Sequence, residues 1–129
     1  MDPIGRDLVF SGTVARLTTH GRLTGLPRPV AVGFIDEPDG SVLVAAGDDA
    51  AWADNLLADP RVTVDVGERR FAALAEPLEP ADHARAIREL ILRYGTPAEG
   101  LGRGPSFRLR PVAPGADAPL TARPDATLR

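Results

Sequence analysis

The chain has no cysteine and, among its 15 basic residues, no lysine. Without cysteine there are no disulfides, no thiolate metal sites and no cysteine nucleophile. Two histidines, His20 and His83, are too few for a protein-built transition-metal centre. No apolar run approaches the roughly 18 residues of a membrane-crossing helix. The N-terminal residues 1–7 (MDPIGRD) lack the charged segment and apolar stretch of a secretory signal, so a cytoplasmic protein is expected. A net charge of −3 argues against general nucleic-acid binding, which favours a basic face. No Ser-His-acid arrangement, no Gly-x-Ser-x-Gly elbow and no nucleotide-binding glycine loop followed by a helix can be found.

What is present is a pattern of short strands. With 129 residues, one domain is expected. Residues 13–19 (TVARLTT), 28–35 (RPVAVGFI), 41–46 (SVLVAA), 61–66 (RVTVDV), 69–76 (RRFAALAE) and 106–111 (SFRLRP) carry alternating or β-branched patterns. In "DEPDG", Pro38 stands at the second and Gly40 at the fourth position of a type I turn. Gly67-Glu68 joins a second hairpin. In the last strand Phe107 and Leu109 share one face, Arg108 and Arg110 the other. Two helices fit between the strands. Asp48 or Asp49 can cap one that runs to Ala58, where Asp59-Pro60 ends it. Another starts near Pro80, presents Ala84, Ile87, Leu90, Ile91 and Tyr94 at helical spacing, and closes at Gly95. The fold class expected is α+β, mainly β: a small barrel of about six antiparallel strands with two peripheral helices. Residues 1–112 form that domain, and residues 113–129, rich in Pro and Ala, form a loosely held tail.

One segment does not fit a plain hairpin. "LTTHGRLTGLPRPVAVGF", residues 17–34, begins and ends as strand, but Gly21–Arg28 packs two glycines, a proline and two arginines into a bend. Glycines let backbone approach a ligand closely. Exposed amides at a bend bind anions. Thr24 offers a hydroxyl, and Arg22 and Arg28 offer planar forks suited to phosphate or carboxylate. Local chemistry leaves two readings open: a site for an anionic ligand, or a solvated hairpin with charges at its tip. His20 beside the bend reads as a turn residue within reach of a ligand, and His83 as a solvated helix residue.

The segment "LTTHGRLTGLPRPV" resembles the "LTTxGRxSGxPR" stretch of the deazaflavin-dependent nitroreductases, a family of the split β-barrel group that includes FMN-binding and pyridoxamine-phosphate-oxidase-like proteins. "VLVAAG" (42–47), "WADNLLADPRVTVDVGERRFAALAEPLE" (52–79) and "FRLRPV" (107–112) continue the likeness in the right order. The resemblance implies a split β-barrel and coenzyme F420, a two-electron deazaflavin carrying a phosphate and a polyglutamate tail, with FMN as the alternative. It implies an oxidoreductase that passes a hydride to a small organic acceptor of the nitroaromatic, quinone or enone class. The same barrel using FMN, or serving as a non-catalytic binding module, are the alternatives. Carried over by position, it puts Arg22, Thr24, Gly25, Pro27 and Arg28 at the cofactor's phosphate and tail. Ala45, Ala46 and Gly47 fall beside the ring, with Trp52 and Asn55 on the following helix. Trp52, the sole tryptophan, also reads as a core residue. Leu23 stands where the family often has a cation, and Asp48-Asp49 where it often has a lysine, so acids are expected near the ligand. Related barrels pair as homodimers, and residues 61–66 have little polar protection on their exposed face.

Overall fold

A computed structural model of the chain describes residues 9, 12–95 and 100–112. The expected tail, 113–129, lies outside the described residues. Seven strands form one antiparallel sheet: β1 (Ala15–His20), β2 (Pro27–Val32), β3 (Ile35–Asp36), β4 (Val42–Ala45), β5 (Arg61–Val66), β6 (Arg69–Pro77) and β7 (Ser106–Pro111). Two helices accompany them, α1 (Ala51–Ala58) and α2 (Pro80–Tyr94).

The spatial order is β2-β1-β5-β6-β7-β4-β3. The two edge strands, β2 and β3, are consecutive in the chain and separated only by Gly33 and Phe34. Two residues span at most about 7 Å, so the sheet must curl until its first and last strands nearly meet. That is a split barrel. The expectation of one strand over 28–35 is corrected here, because the chain leaves β1 at Gly33 and joins β4 at Ile35. Tyr94, on α2, sets the break. Its hydroxyl accepts from the Phe34 amide at 3.0 Å and donates to the Thr13 carbonyl at 2.8 Å. A Cβ on Gly33 would lie 2.8 Å from the tyrosine ring, so only glycine passes there.

The barrel interior holds alternate residues of the strands: Ala15 and Leu17, Val62, Val64 and Val66, Ala73 and Ala75, Phe107 and Leu109. The run of β4 is buried on both faces. Val42 and Val44 point into the barrel, while Leu43 and Ala45 lie under α2 with Ala86 and Leu90. Two buried faces explain why that strand reads as continuous apolar sequence rather than an alternation. On α2 the buried alanine is Ala86, not the expected Ala84, which is exposed at the margin of the face.

The turn at Glu37–Gly40 closes through Gly40 N–H to the Glu37 carbonyl at 3.0 Å, with Pro38 and Asp39 at its centre. Gly67-Glu68 joins β5 to β6, and Gly67 takes φ +58°. Gly95 follows α2, its amide donating to the Ile91 carbonyl at 2.7 Å. The helix start is different from expectation. Neither Asp48 nor Asp49 caps α1. Its N-cap is Ala50, without a side-chain cap, because the chain first turns at Asp49, which takes φ 59°, a left-handed conformation aspartate tolerates better than most residues.

Candidate functional site

The bend between β1 and β2 is a small built structure. Gly21 N–H donates to the Leu26 carbonyl at 2.8 Å, Gly25 N–H to the Gly21 carbonyl at 2.7 Å, and Leu26 N–H to Thr24 Oγ1 at 3.2 Å. Gly25 sits at φ +74°, where a side chain is strained. A Cβ at Gly21 would meet Thr24 Oγ1 at 3.0 Å and Arg28 Nε at 3.4 Å. The glycine thus lets the Arg28 side chain lie close across the bend.

Helix α1 packs beside this bend, and a cleft of about 530 Å³ opens between them. Arg22, Thr24, Arg28, Trp52 and Asn55 line it, with Gly21, Leu23, Pro29, Val30 and Ala51. Five of the ten residues expected at a cofactor site are therefore brought to one cleft. Gly25 and Pro27 shape the bend but lie outside the lining. Ala45, Ala46 and Gly47 are not at this cleft. Ala45 is buried under α2, and Ala46 carries the 102–105 segment on its backbone. Its carbonyl accepts from Gly102 and Gly104, and its amide donates to the Pro105 carbonyl. Gly47 packs against Gly104, whose Cβ, if it had one, would lie 2.6 Å from the Gly47 carbonyl oxygen. Asp48 and Asp49 also lie outside the lining, and Asp48 faces Arg103 at 3.7 Å. The acids expected near the ligand are thus not among the residues that line this cleft.

Electrostatically the cleft is open to anions. Among the described residues neither Arg22 nor Arg28 has a carboxylate partner, while eight other arginines do. No acid is among the lining residues. Asn55 is buried, 5% exposed, and connects the helix to the bend. Its Oδ1 accepts from the Arg22 amide at 3.1 Å and from Arg22 Nη1 at 3.3 Å. Its Nδ2 donates to Thr19 Oγ1 at 3.1 Å. Trp52 is half-buried against Phe107, ring centroids 6.1 Å apart, and it lines the cleft.

The histidines go elsewhere. His20 ends β1 on the outward side of the alternation and lines a different hollow of about 360 Å³, with Arg61, Thr63 and Leu74. His83 is not the solvated residue expected; it is half-buried, its Nδ1 2.6 Å from Ser106 Oγ. Thr19, fully buried, was not singled out from the sequence. Its signal is its place in the alternation Ala15, Leu17, Thr19, where a hydroxyl at an inward position needs a partner.

A curled antiparallel sheet with an arginine-lined cleft at a glycine bend defines a split-barrel protein suited to a small anionic ligand. The comparisons with known proteins make this more specific. The family model described as F420H(2)-dependent quinone reductase matches residues 3–98, and the chain belongs to that family. Coenzyme F420 is the cofactor that this membership implies. An F420H(2)-dependent quinone reductase of Mycobacterium tuberculosis is 36% identical over 70 residues, covering 51% of this chain and 47% of that protein. The chain thus spans about half the length of the curated relatives it matches. Among solved structures, an F420-H2 dependent reductase (FDR-A) has a TM-score of 0.65 at 23% identity, covering 76% of this chain and 94% of its own. The heme storage protein HutZ of Vibrio cholerae has a TM-score of 0.65 at 22% identity, covering 86% of this chain and 89% of its own. These two share the fold.

Proposed function

We propose that the protein is an oxidoreductase that binds coenzyme F420 in the cleft between the β1–β2 bend and α1 and reduces a small organic acceptor. Quinones are the first candidate class, with nitroaromatics and enones beside them. The observation that carries this reading is the pair of arginines that, among the described residues, have no carboxylate partner and that line a cleft whose volume lies in the usual range of small-molecule sites, about 300–1,000 Å³. The residues present suit the anionic part of the cofactor. Arg22 and Arg28 offer charge-assisted donors, Thr24 offers a hydroxyl, and Gly21 and Gly25 keep the bend free of side chains. Trp52 provides an aromatic wall where a flat ring system can lie.

The reduced deazaflavin, when bound, supplies the hydride, so the protein needs no acid–base triad of its own. The chain's task is to bind, orient and partly enclose. The arginines hold the charged end, and Asn55 keeps Arg22 in place. Trp52, backed by Phe107, presents a rigid surface toward the cleft.

Two copies of the chain forming a homodimer belong to the same reading. Its support is the outer face of β5 and β6, where Leu74 is 44% exposed beside the His20 hollow. A solved neighbour with a TM-score of 0.65 is a domain-swapped dimer. Light scattering should give twice the 13.6 kDa chain mass; a monomer at micromolar concentration contradicts it. The test of the function is direct. Titrating F420 into the protein should quench deazaflavin fluorescence saturably, and reduced F420 should be consumed when a quinone is added. Saturable binding of FMN in place of F420 would reject the cofactor, and binding without turnover of any of the three acceptor classes would reject the reaction.

A further inference from the structure

We infer that Asn55, at the wall of the cleft, is a positioning residue that sets both arms of the bend for the anionic ligand. The inference rests on the reading of the cleft as the seat of an anionic cofactor group. Asn55 is 5% exposed, so its amide is committed to the protein. Its Oδ1 takes two donors from Arg22, the backbone amide and the guanidinium Nη1. Its Nδ2 donates to Thr19 Oγ1, and Thr19, itself fully buried, donates to the Arg28 carbonyl at 3.4 Å. One side chain on α1 therefore grips Arg22 directly and reaches the backbone of Arg28 through a single hydroxyl.

The chemistry of the amide matters. Arg22 is an exposed residue with a long side chain, free to sample many rotamers unless something holds it. Fixing it before the ligand arrives removes part of the ordering cost of binding. A carboxylate at position 55 would hold the guanidinium equally well, but it would neutralise the charge the ligand needs. A neutral oxygen acceptor fixes Arg22 and leaves its charge unspent. Nη1 is engaged by Asn55, and among the described residues no other partner takes the rest of the guanidinium's donors.

The test compares F420 with the same deazaflavin ring lacking the phosphate and tail, each titrated into the parent, Asn55→Ala, Asn55→Asp, Arg22→Ala and the double variant Asn55→Ala/Arg22→Ala. Asn55→Ala should weaken F420 by about tenfold while the phosphate-free ring changes by less than about twofold. Asn55→Asp should weaken F420 at least as much, because the new carboxylate pairs with Arg22. The double variant should bind no more weakly than Arg22→Ala alone, since both act through one group. Equal losses for the two ligands, or additive losses in the double variant, overturn the inference.

Hydrogen exchange gives a readout independent of any cofactor. In Asn55→Ala the Arg22 amide should exchange faster, while the Gly21 and Gly25 amides, bonded within the bend, keep their protection. Thr19→Val cuts the relay at its other end with little change of volume, and it should also speed Arg22 exchange if Asn55→Ala fails to fold. Unchanged Arg22 protection in whichever variant folds overturns the relay. A parent that binds no F420 rejects the proposed function instead, and the exchange result still decides the relay.

Discussion

Arginine does two different jobs in this molecule. On the side of the barrel where α2 crosses β4 and β7, three arginines are matched to carboxylates. Arg85 reaches Glu37 at 2.9 Å and Glu89 at 3.1 Å, Arg108 shares the same Glu37 at 3.4 Å, and Arg110 makes a two-pronged contact with Glu76 at 2.9 and 3.0 Å. The hydrogen bond from Arg85, with help from Arg108, holds the Glu37 carboxyl below its usual range, and the hydrogen bond from Arg110 does the same to Glu76. At the β1–β2 bend, Arg22 and Arg28 have hydrogen-bonding or steric neighbours but no counter-charge among the described residues. In a chain that uses arginine for every strong cation, residue identity does not separate scaffold from site. Pairing and placement together do. On α2, Arg88 and Arg93 also have no carboxylate partner among the described residues, but Arg93 lies over the Phe34 and Tyr94 rings, whereas Arg22 and Arg28 both line the cleft at the bend.

This contrast can be broken from either end. The largest effect is expected at the bend. Replacing both Arg22 and Arg28 by alanine should weaken F420 binding by roughly 3–6 kcal/mol, more than about a hundredfold. Thermal unfolding should stay close to the parent's, as checked by calorimetry. Next is the opposite experiment. Glu37→Ala leaves Arg85 and Arg108 without their shared carboxylate, whose side chain is only 12% exposed. It should cost roughly 1.5–3 kcal/mol of stability in denaturant titration, the range for hydrogen bonds to charged groups, with F420 affinity unchanged.

Acid should weaken the scaffold by the same logic. Asp59, at the end of α1, is held down to about 2 from an ordinary 3.8, chiefly by the hydrogen bond from Arg61. A depressed carboxylate contributes stability above its unfolded value and loses it as pH falls toward the folded one. Asp59 should therefore contribute above pH 3.8 and stop contributing near pH 2. Because Arg61 is 57% exposed, that contribution should be about 1 kcal/mol at most. Asp59→Asn should flatten that part of the stability profile measured by urea midpoints. Smallest of all is Arg70→Ala. Asp65 keeps Arg16 as a second partner, so the change should stay within about 0.5 kcal/mol.

The two regions also differ in how far they could be read from sequence. The scaffold's hairpins were legible because their signals are local: Pro38 and Gly40 fix one turn, Gly67 another, and Phe107 and Leu109 show their face by simple alternation. The break at Gly33 was not legible, since its cause is Tyr94, distant in sequence and brought in by α2. The start of α1 was misjudged because Asp49 is used for a left-handed turn and Ala50 becomes the cap. At the site, the bend declared itself through its glycines and arginines, and the resemblance brought in Trp52 and Asn55. The resemblance also named Ala45–Gly47, which the structure puts under α2 and the 102–105 segment rather than in the cleft. Thr19 was passed over, because only the packing of α1 on β1 reveals that its hydroxyl meets Asn55.

The most direct measurement is a parallel one: F420 titrated by fluorescence into the parent, Arg22→Ala and Arg28→Ala, with a thermal melt of each protein. The account predicts saturable binding by the parent, a loss of roughly ten- to hundredfold in each variant, and melting transitions nearly superimposed. Variants that bind as tightly as the parent, or that lose melting temperature and keep their affinity, would show that the bend's arginines belong to the scaffold after all.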